Sequence, residues 1–209
     1  MAEYIYKQEG DKFVLYADGA PLTNPDNVVI TTSNEKLAKD LVAELKAGRS
    51  YTSPASLLDY HYTYCNLEQQ DFAEFVEQFC HLADYERLIW DDYLMFHQES
   101  AVKQSIASYL AEFELPEQLR SYNLYQLTAI LIVWHSYGSL MLAYYIITNI
   151  CIPLAKKDAD YESLKADFLE GLKDYECEVF EYNHTSKSYK RRMKDTASII
   201  DAFVYYFNL

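Results

Sequence analysis

EYIYKQEGDKFVLYADG, residues 3 to 19, contains two segments in which apolar and polar residues alternate. Alternation with a period of two is typical of a β-strand with one buried face. The two segments lie around Glu9-Gly10-Asp11, so the stretch predicts a β-hairpin. Asp18-Gly19 marks a second turn, and NVVITT, residues 27 to 32, predicts a third strand.

Helix signals follow the third strand. Thr32 and Glu35 have the spacing of a capping box, in which two side chains satisfy free N–H groups at the start of a helix. The pair predicts a helix from Glu35 that stops at Gly48, a residue type that often terminates helices. Ser53-Pro54 predicts another helix, with proline at the first helical position, where its missing N–H breaks no hydrogen bond.

The rest of the chain has a mainly helical pattern. Four apolar side chains repeat at helical spacing: Phe72, Phe75, Val76 and Phe79. Arg87 to Trp90 fits a short strand, and the segments beyond Asp91 fit helices. The predicted fold class is α+β: a small N-terminal α+β domain over residues 1 to 90, followed by an all-α helical-bundle domain over residues 91 to 209.

The most apolar stretch is LTAILIVWHSYGSLMLAYYIITNICIPLA, residues 127 to 155, within a longer run that has no charged side chain. About 20 apolar residues span a bilayer, so length permits a membrane span. Gln126, His135 and Asn149 interrupt the run, however, and the amphipathic helices around it need a central partner. The sequence therefore favours the buried core of a helical bundle over a membrane span.

Composition and charge limit the partners. The 209 residues carry a formal net charge of −14, which disfavours nucleic acid and anionic lipid because both are negative. KSYKRRMK, residues 187 to 194, holds five of the 18 Lys and Arg residues. No nucleic-acid motif accompanies it, so a solvated helix face or an internal partner for acidic neighbours is expected.

Cysteine spacing and the N-terminus indicate the compartment. The cysteines form no CxxC pair, and most lie in apolar helical patterns: Cys65, Cys80, Cys151 and Cys177. They are predicted to be reduced core residues and not a disulfide framework or a zinc site. The acidic, alternating N-terminus fits neither a signal peptide nor a transit peptide, so a cytoplasmic protein is expected.

Residues 13 to 45 match a longer pattern: an apolar strand, Asp-Gly, Pro-Leu, a second proline, another apolar strand, and a helix with Leu-Ala and Ala-Glu. The stretch resembles the start of the ATP synthase alpha-subunit assembly chaperone family (ATP-twelve family), with Leu45 in place of the family's tryptophan. The matching residues are Asp18, Gly19, Pro21, Leu22, Pro25, Leu37, Ala38, Ala43 and Glu44.

Further segments resemble the same family in the same order. SYNLYQL, residues 121 to 127, is similar to a Tyr-Asp/Asn-x-aromatic-x-Leu helix, and Gly138-Ser139-Leu140 is similar to its continuation. Gln98 with residues 112 to 115, and RRMKDTASII at residues 191 to 200, resemble two other family segments. The likeness extends over nearly the whole chain.

The resemblance implies a function as well as a fold. The family resemblance implies a helical C-terminal domain that would enclose the apolar run. Family members act without nucleotide hydrolysis and hold the free alpha subunit of the catalytic head before beta subunits cover that surface. We therefore expect a soluble, non-enzymatic, chaperone-like protein with no cofactor, whose partner is a protein client such as the ATP synthase alpha subunit.

One segment departs from the family. Where the family has Glu-x-x-Gln-x-x-x-Trp-Gly, this chain has LKDYECEVFEYNH, residues 172 to 184, without Trp-Gly. One register places Tyr182-Asn183 on Trp-Gly and Glu178 on the glutamine, while another keeps Asp174 in place of the family's glutamate. We predict that Glu178 contacts the client, with Asp174, Glu176 and Tyr182 as alternatives. A solvated acidic face is the competing interpretation.

Patterns that carry chemistry are sparse. The sequence has no phosphate-binding glycine loop, nucleophile elbow or dinucleotide fingerprint, so no catalytic residue is predicted. Glu181-x-x-His184 has the spacing of a metal-binding pair, but a di-iron bundle needs two such motifs and further carboxylates. A helical metal- or small-ligand-binding protein or enzyme is the alternative class, with no metal site assigned. His135 is expected to be a hydrogen-bonded core residue.

Tyrosine is abundant, with 21 residues. Tyrosine fills space between helices and is also favoured at protein interfaces. Both interpretations apply to the series Tyr60, Tyr62 and Tyr64 and to the pair Tyr205-Tyr206.

Overall fold

The fold comes from a computed structural model. It describes residues 2 to 50, 56 to 82, 120 to 137 and 187 to 209, together with positions 160, 162, 163 and 166. The chain divides into two compact units, an N-terminal unit of Met1–Phe72 and a C-terminal unit of Ala73–Asn208. The N-terminal unit combines a small sheet with helices, and the described part of the C-terminal unit is helical.

Four antiparallel strands form the sheet of the N-terminal unit. They are β1 (Tyr4–Glu9), β2 (Lys12–Ala17), β3 (Ala20–Pro21) and β4 (Thr31–Thr32). β2 is central: it pairs with β1 along its whole length on one side, and with β3 and β4 at its two ends on the other. The pairing of β1 with β2 confirms the predicted hairpin, and the sheet with its helices confirms a mixed α+β fold for this unit.

The two hairpin turns use left-handed backbone conformations. Gly10, in the loop between β1 and β2, has a φ of 64°, which glycine adopts without a steric penalty. Asp18 and Gly19 have φ values of 50° and 82°, and a type I′ turn requires a positive φ at both central residues. The predicted turn at Asp18-Gly19 is confirmed, and it leads into β3, which the sequence pattern did not indicate.

The third predicted strand is shorter in the structure than NVVITT. Only Thr31–Thr32 pairs with β2 as a strand. Asn27 has a φ of 64°, and this left-handed conformation interrupts an extended segment. Ile30 still follows the sheet, because its carbonyl accepts the N–H of Leu15 and its N–H donates to the carbonyl of Leu22.

The helix α1 (Glu35–Lys46) agrees with the predicted span but begins with a different cap. Asn34 Oδ1 accepts the N–H of Leu37 at 3.1 Å, so Asn34 is the N-cap. The predicted capping box of Thr32 and Glu35 is wrong, because Asn34 stands directly before the helix and reaches its third N–H. Thr32 instead ends β4, and its hydroxyl accepts the N–H of Asn34 at 3.0 Å. Gly48, with a φ of 78°, follows the helix as predicted.

The helix α2 (Leu57–Leu67) starts later than predicted. Ser56 is its N-cap, since its Oγ accepts the N–H of Asp59 at 3.1 Å, so the helix begins at Leu57, whereas the sequence pattern predicts its start at Pro54. Glu44 on α1 supplies another acceptor, because its Oε2 accepts a second N–H of the same turn at 3.1 Å. These acceptors satisfy N–H groups that the start of a helix leaves free.

Apolar side chains from the sheet, α1 and α2 form the core of the N-terminal unit. Its largest fully buried side chains are Tyr60, Leu15, Ile30, Leu37, Leu41 and Leu58. Burial of apolar surface, at roughly 25 cal/mol per Å², is the main stabilising contribution to such a core. Tyr60, Tyr62 and Tyr64 are at most 8% exposed, so this tyrosine series fills the interior and offers little contact surface.

Three further helices are described. α3 (Phe72–Leu82) confirms the helix predicted from the phenylalanine spacing, and α4 (Leu124–Tyr137) packs against α5 (Lys187–Phe207). The buried residues of α4 and α5 include Leu127, Ala129, Ile130, Ile200, Phe203 and Tyr206. Among the described residues, no helix is long and apolar enough to cross a membrane.

A reciprocal pair of hydrogen bonds opens α4. Asn123 Oδ1 accepts the N–H of Gln126 at 2.9 Å, and Gln126 Oε1 accepts the N–H of Asn123 at 3.0 Å, which is the geometry of a capping box. Gln126 Nε2 also donates to the carbonyl of Phe207 at 3.2 Å. One glutamine therefore contacts both the start of α4 and the end of α5.

Some predictions fall outside the described residues. The strand at Arg87 to Trp90 and the domain boundary between residues 90 and 91 belong to this group. Within residues 91 to 209, the structure describes the helices α4 and α5, and the predicted all-helical bundle stays a prediction.

Candidate functional site

The residues predicted to contact a client lie outside the described part of the chain, as do several other residues of interest. They are Glu178, Asp174, Glu176, Tyr182, Glu181, His184, Gly138 and Ser139. Their roles stay predictions. In the part of the chain that is described, a histidine and a cysteine on α2 are the groups most suited to chemistry.

This histidine and cysteine lie one helical turn apart and face β4. His61 Nε2 lies 2.7 Å from the carbonyl oxygen of Thr31, and Cys65 Sγ lies 3.6 Å from the same oxygen. Cys65 Sγ also lies 3.6 Å from His61 Nε2, and the imidazole stacks on Tyr64 with ring centroids 5.3 Å apart. His61 and Cys65 are 0% and 1% exposed, so the cluster is closed to solvent.

Burial determines the protonation states of this cluster. It lowers the pKa of His61 from 6.5 to about 4, against an opposing effect of the hydrogen bond with Thr31. It also raises the pKa of Cys65 from 9.0 to about 12. Both groups are therefore neutral at pH 7, whereas a cysteine nucleophile needs a thiolate. A carbonyl oxygen only accepts, so the Nε2–H of His61 donates to Thr31 and joins α2 to β4.

An ion pair joins β2 to the end of α2. Lys12 Nζ lies 2.9 Å from Glu68 Oε1, and the hydroxyl of Tyr64 donates to the same oxygen at 3.3 Å. The hydrogen bond with Glu68 raises the pKa of Lys12, and partial desolvation opposes this effect. The Lys12 side chain is 41% exposed, and a pair of this kind contributes at most about 1 kcal/mol. Its main effect is to orient α2 on the sheet.

Asn24 organises the loop between β3 and β4. Its Oδ1 accepts the N–H groups of Asp26 and Val28 at 3.0 and 2.9 Å. Its Nδ2 donates to Asn66 Oδ1 at 2.5 Å, and Asn66 Nδ2 donates to Asp26 Oδ2 at 2.7 Å. Amide side chains therefore hold the loop that contains Pro25 against α2.

The matched residues of the N-terminal unit make contacts within that unit. Asp18 occupies the turn between β2 and β3, and its Oδ1 accepts the N–H of Glu3 at 2.7 Å. The N–H of Leu22 donates to the carbonyl of Leu15 at 2.8 Å, and Glu44 supports the start of α2. Gly19 and Pro21 lie in the same turn and in β3. The matched residues therefore stabilise the fold of the N-terminal unit.

The basic segment forms the first part of α5. Lys187, Lys190 and Lys194 are exposed, as predicted for a solvated helix face. Their spacing places them on one side of the helix. His135 lies on α4.

Sequence reasoning missed several residues that position α1, α2 and the loop before β4. They are Asn24, Asn34 and Ser56, each of which accepts a backbone N–H. Clusters of Asn, Asp, Ser and Pro are turn and cap signals, because short polar side chains bond to nearby backbone groups. The runs TNPDN and TSN contain that signal. It does not show that Asn24 also bonds to Asn66 on α2, which is distant in the sequence.

No family model, curated protein or solved structure matches this chain. Among the residues that the structure describes, no group of three or more His, Cys, Asp or Glu side chains is arranged to hold a metal ion. The resemblance to the assembly chaperones therefore stays a prediction.

Proposed function

We propose that this chain is a soluble, non-enzymatic, chaperone-like protein that holds a protein client in the cytoplasm before the client is assembled. The observation that carries the proposal is the ordered set of motifs that resembles the ATP synthase alpha-subunit assembly chaperones. The proposed client is accordingly the free alpha subunit of the catalytic head. The proposal includes an all-helical bundle over residues 91 to 209.

The first motif supports this proposal because its separate parts hold one compact unit together. Asp18-Gly19 turns the chain between β2 and β3, the Pro25 loop is bound to α2, and Glu44 accepts an N–H at the start of α2. The matched residues therefore lie in one compact unit and support its fold.

The chemistry of the N-terminal unit is also compatible with a binding role. His61 and Cys65 are neutral and enclosed, so this pair is not an activated nucleophile. The buried polar side chains Asn24 and Ser56 make contacts between elements of the fold.

The proposed mechanism is temporary cover of the client's apolar subunit interface by a mixed apolar and acidic surface. A free subunit exposes an apolar patch that would otherwise associate nonspecifically. The net charge of −14 would speed and orient the encounter with a basic surface, and it would add less to affinity. Glu178 is the proposed contact, with Asp174, Glu176 and Tyr182 as alternatives.

Affinity purification of the tagged full chain from its native cell, followed by mass spectrometry, tests the proposed client. We expect enrichment of the ATP synthase alpha subunit over the beta subunit. Reproducible absence of the alpha subunit would remove this client. Stoichiometric iron, manganese or zinc that is lost on His184→Ala would instead favour the metal-binding alternative.

Charge reversal tests the proposed contact within the same experiment. Glu178→Lys should weaken capture, most strongly at low salt, because salt screens the attraction between charges on the two proteins. Thermal unfolding should stay unchanged, and Glu162→Lys, at an exposed position, is the matched control. Unchanged capture by Glu178→Lys and by the combined reversal of Asp174, Glu176 and Glu178 would exclude this acidic segment as the contact.

A further inference from the structure

The backbone of β1 carries hydrogen-bonding groups on the side away from β2. In an antiparallel pair, alternate residues bond to the partner strand and the residues between them point outward. The carbonyl of Glu3 accepts the N–H of Asp18 at 2.9 Å, so the odd-numbered residues of β1 bond to β2. The N–H and C=O groups of Tyr4, Tyr6 and Gln8 therefore point to the outer edge of the sheet.

The hydrogen bonds of β2 agree with this alternation between residues that bond to the partner strand and residues that do not. Leu15 lies opposite Tyr6 in the register. Its N–H donates to Ile30 and its carbonyl accepts from Leu22, so both groups bond away from β1. The backbone groups of Tyr6 consequently have no partner on β2.

The outer edge of β1 is open to solvent at its C-terminal end. In the part of the chain that the structure describes, β1 pairs with β2 and with no other strand. Lys7, Gln8 and Glu9 are exposed. An open strand edge is a template for pairing with another chain.

Three side chains of β1 make contacts directed away from this edge. Edge strands are commonly protected by charged side chains, yet Lys7 Nζ lies over the ring of Tyr16 on β2, 4.5 Å from its centroid. The hydroxyl of Tyr16 donates to Glu9, and the hydroxyl of Tyr6 donates to Glu35 on α1 at 3.0 Å. These contacts direct the side chains toward β2 or α1 and away from the outer edge.

We propose that the outer edge of β1 binds an extended segment of the protein client by β-strand addition. This inference rests on the proposed function and names the surface that holds the client. Tyr4, Tyr6 and Gln8 present donors and acceptors at every second residue, a repeat of about 6.8 Å in an antiparallel strand. An extended segment matches this repeat, whereas a helix uses its backbone groups internally.

A client segment fits the edge better than a second copy of this chain. Each copy carries a net charge of −14, so two copies repel each other. Main-chain hydrogen bonds also recognise an unpaired strand with few demands on its side chains. That mode of binding suits an extended segment of a client that has not yet been assembled.

Gln8→Pro tests the inference in the full chain. Proline removes the outward N–H at position 8 and places its ring on the edge, while the bonds of Lys7 and Glu9 to β2 remain possible. Gln8→Ala is the matched control, because it removes the same side chain and keeps the N–H. With purified free ATP synthase alpha subunit as the probe, we expect Gln8→Pro to weaken binding at least about tenfold and Gln8→Ala less than about twofold.

Amide hydrogen exchange on the wild-type chain gives a second measurement that does not depend on the folding of the proline variant. Binding of the alpha subunit should slow exchange at Tyr6 and Gln8 at least about tenfold. Exchange at Ile5 and Lys7, which bond to β2, should change little.

The outcomes separate this inference from the proposed function. Binding that Gln8→Pro leaves intact overturns the inference alone, and so does loss of binding without slowed exchange at Tyr6 and Gln8. Failure of the wild-type chain to bind the alpha subunit overturns the proposed function and this inference with it. A dimer of the chain by sedimentation that Gln8→Pro dissociates would assign the edge to a second copy and overturn binding of a client there.

Discussion

The N-terminal unit and the α4–α5 pair are held together by different kinds of contact. In the N-terminal unit, polar side chains lie inside: Asn24, Thr32, Ser56 and His61 are at most 4% exposed. Between α4 and α5, the buried residues are mainly apolar and aromatic, and the hydrogen bond from Gln126 to Phe207 lies at the helix ends. Hydrogen bonds between side chains and backbone position the elements of the N-terminal unit. Packing of apolar side chains positions α4 against α5.

This difference follows from the size of the elements. Strands of two residues bury little apolar surface, so hydrogen bonds from side chains must hold β3, β4 and their loop in place. Helices of 14 and 21 residues can bury continuous apolar surface against each other. We therefore expect truncation to be most damaging in the α4–α5 pair, and loss of a polar group or a change of pH to act mainly in the N-terminal unit.

Truncation of Phe203 should have the largest effect. Its side chain is fully buried on α5. Phe203→Ala should lower the free energy of unfolding by about 3–5 kcal/mol, because it removes a large apolar side chain and leaves a cavity. Urea unfolding measures the loss, with Lys194→Ala on the exposed face of α5 as the control, expected to change it by less than about 0.5 kcal/mol. A loss below about 1 kcal/mol for Phe203→Ala would contradict a volume-dependent α4–α5 contact.

Acid should weaken the N-terminal unit through His61. Its pKa in the folded chain is about 4 against 6.5 in the unfolded chain, so its stabilising effect is complete above pH 6.5 and is lost as the pH falls toward 4. Asp59 has the opposite effect. Burial raises its pKa from 3.8 to about 6, so its contribution to stability grows as the pH falls through that range. The two groups offset each other between about pH 4 and pH 6.

Asp59→Asn should expose the effect of His61. In this variant, lowering the pH from 6.5 to 4 should reduce the free energy of unfolding by about 2–3 kcal/mol more than in the Asp59→Asn/His61→Gln double variant. Urea unfolding at a series of pH values measures the difference, and the other carboxylates act equally in both variants. Parallel pH profiles would show that His61 titrates alike in the folded and unfolded chains.

Loss of Asn24 should have a smaller effect, confined to the N-terminal unit. Asn24→Ala removes the acceptor of two backbone N–H groups and the bond to Asn66. We expect a loss of about 2 kcal/mol in urea unfolding, because buried groups lose their partners. Asn66→Ala keeps the Asn24 acceptor of the two N–H groups and removes the bonds of the Asn66 side chain to Asn24 and Asp26, so it should cost about half as much. Equal losses in the two variants would mean that the loop N–H groups need no acceptor from residue 24.

Replacement of Gln126 should have the smallest effect. Gln126→Ala removes the capping box of α4 and the bond to the Phe207 carbonyl, with an expected loss of about 1 kcal/mol. Gln126→Glu is the control, because it keeps the acceptor for Asn123 and removes only the donor to Phe207. Amide exchange at the end of α5 should accelerate in both variants. Unchanged exchange there would show that the bond from Gln126 does not stabilise the C-terminal end of α5.

Local patterns predicted the elements whose signal lies within a few residues. The hairpin of β1 and β2, the Asp18-Gly19 turn, the end of α1 at Gly48 and the helical repeat of α3 belong to this group. Each depends on alternation, helical spacing or a positive φ, and those properties act between neighbours in the chain.

The caps were predicted less well because several candidates stood close together. Thr32 and Asn34 both precede α1, and Ser53 and Ser56 both precede α2. The structure selects Asn34 and Ser56. Thr32 belongs to β4, which pairs with β2, and pairing within the sheet is not visible in the few residues before a helix.

By itself, the sequence determined the order of β1, β2, β4, α1 and α2 in the N-terminal unit, without β3, and the apolar character of α4. Only the tertiary structure decided which polar residues meet: Asn24 bonds to Asn66 across 42 positions, His61 faces Thr31 across 30, and Lys12 pairs with Glu68 across 56. Such partners come together when α2 packs on the sheet. Burial then sets the pKa of His61 and Cys65, because desolvation depends on what surrounds a side chain in space and not on its neighbours in the chain.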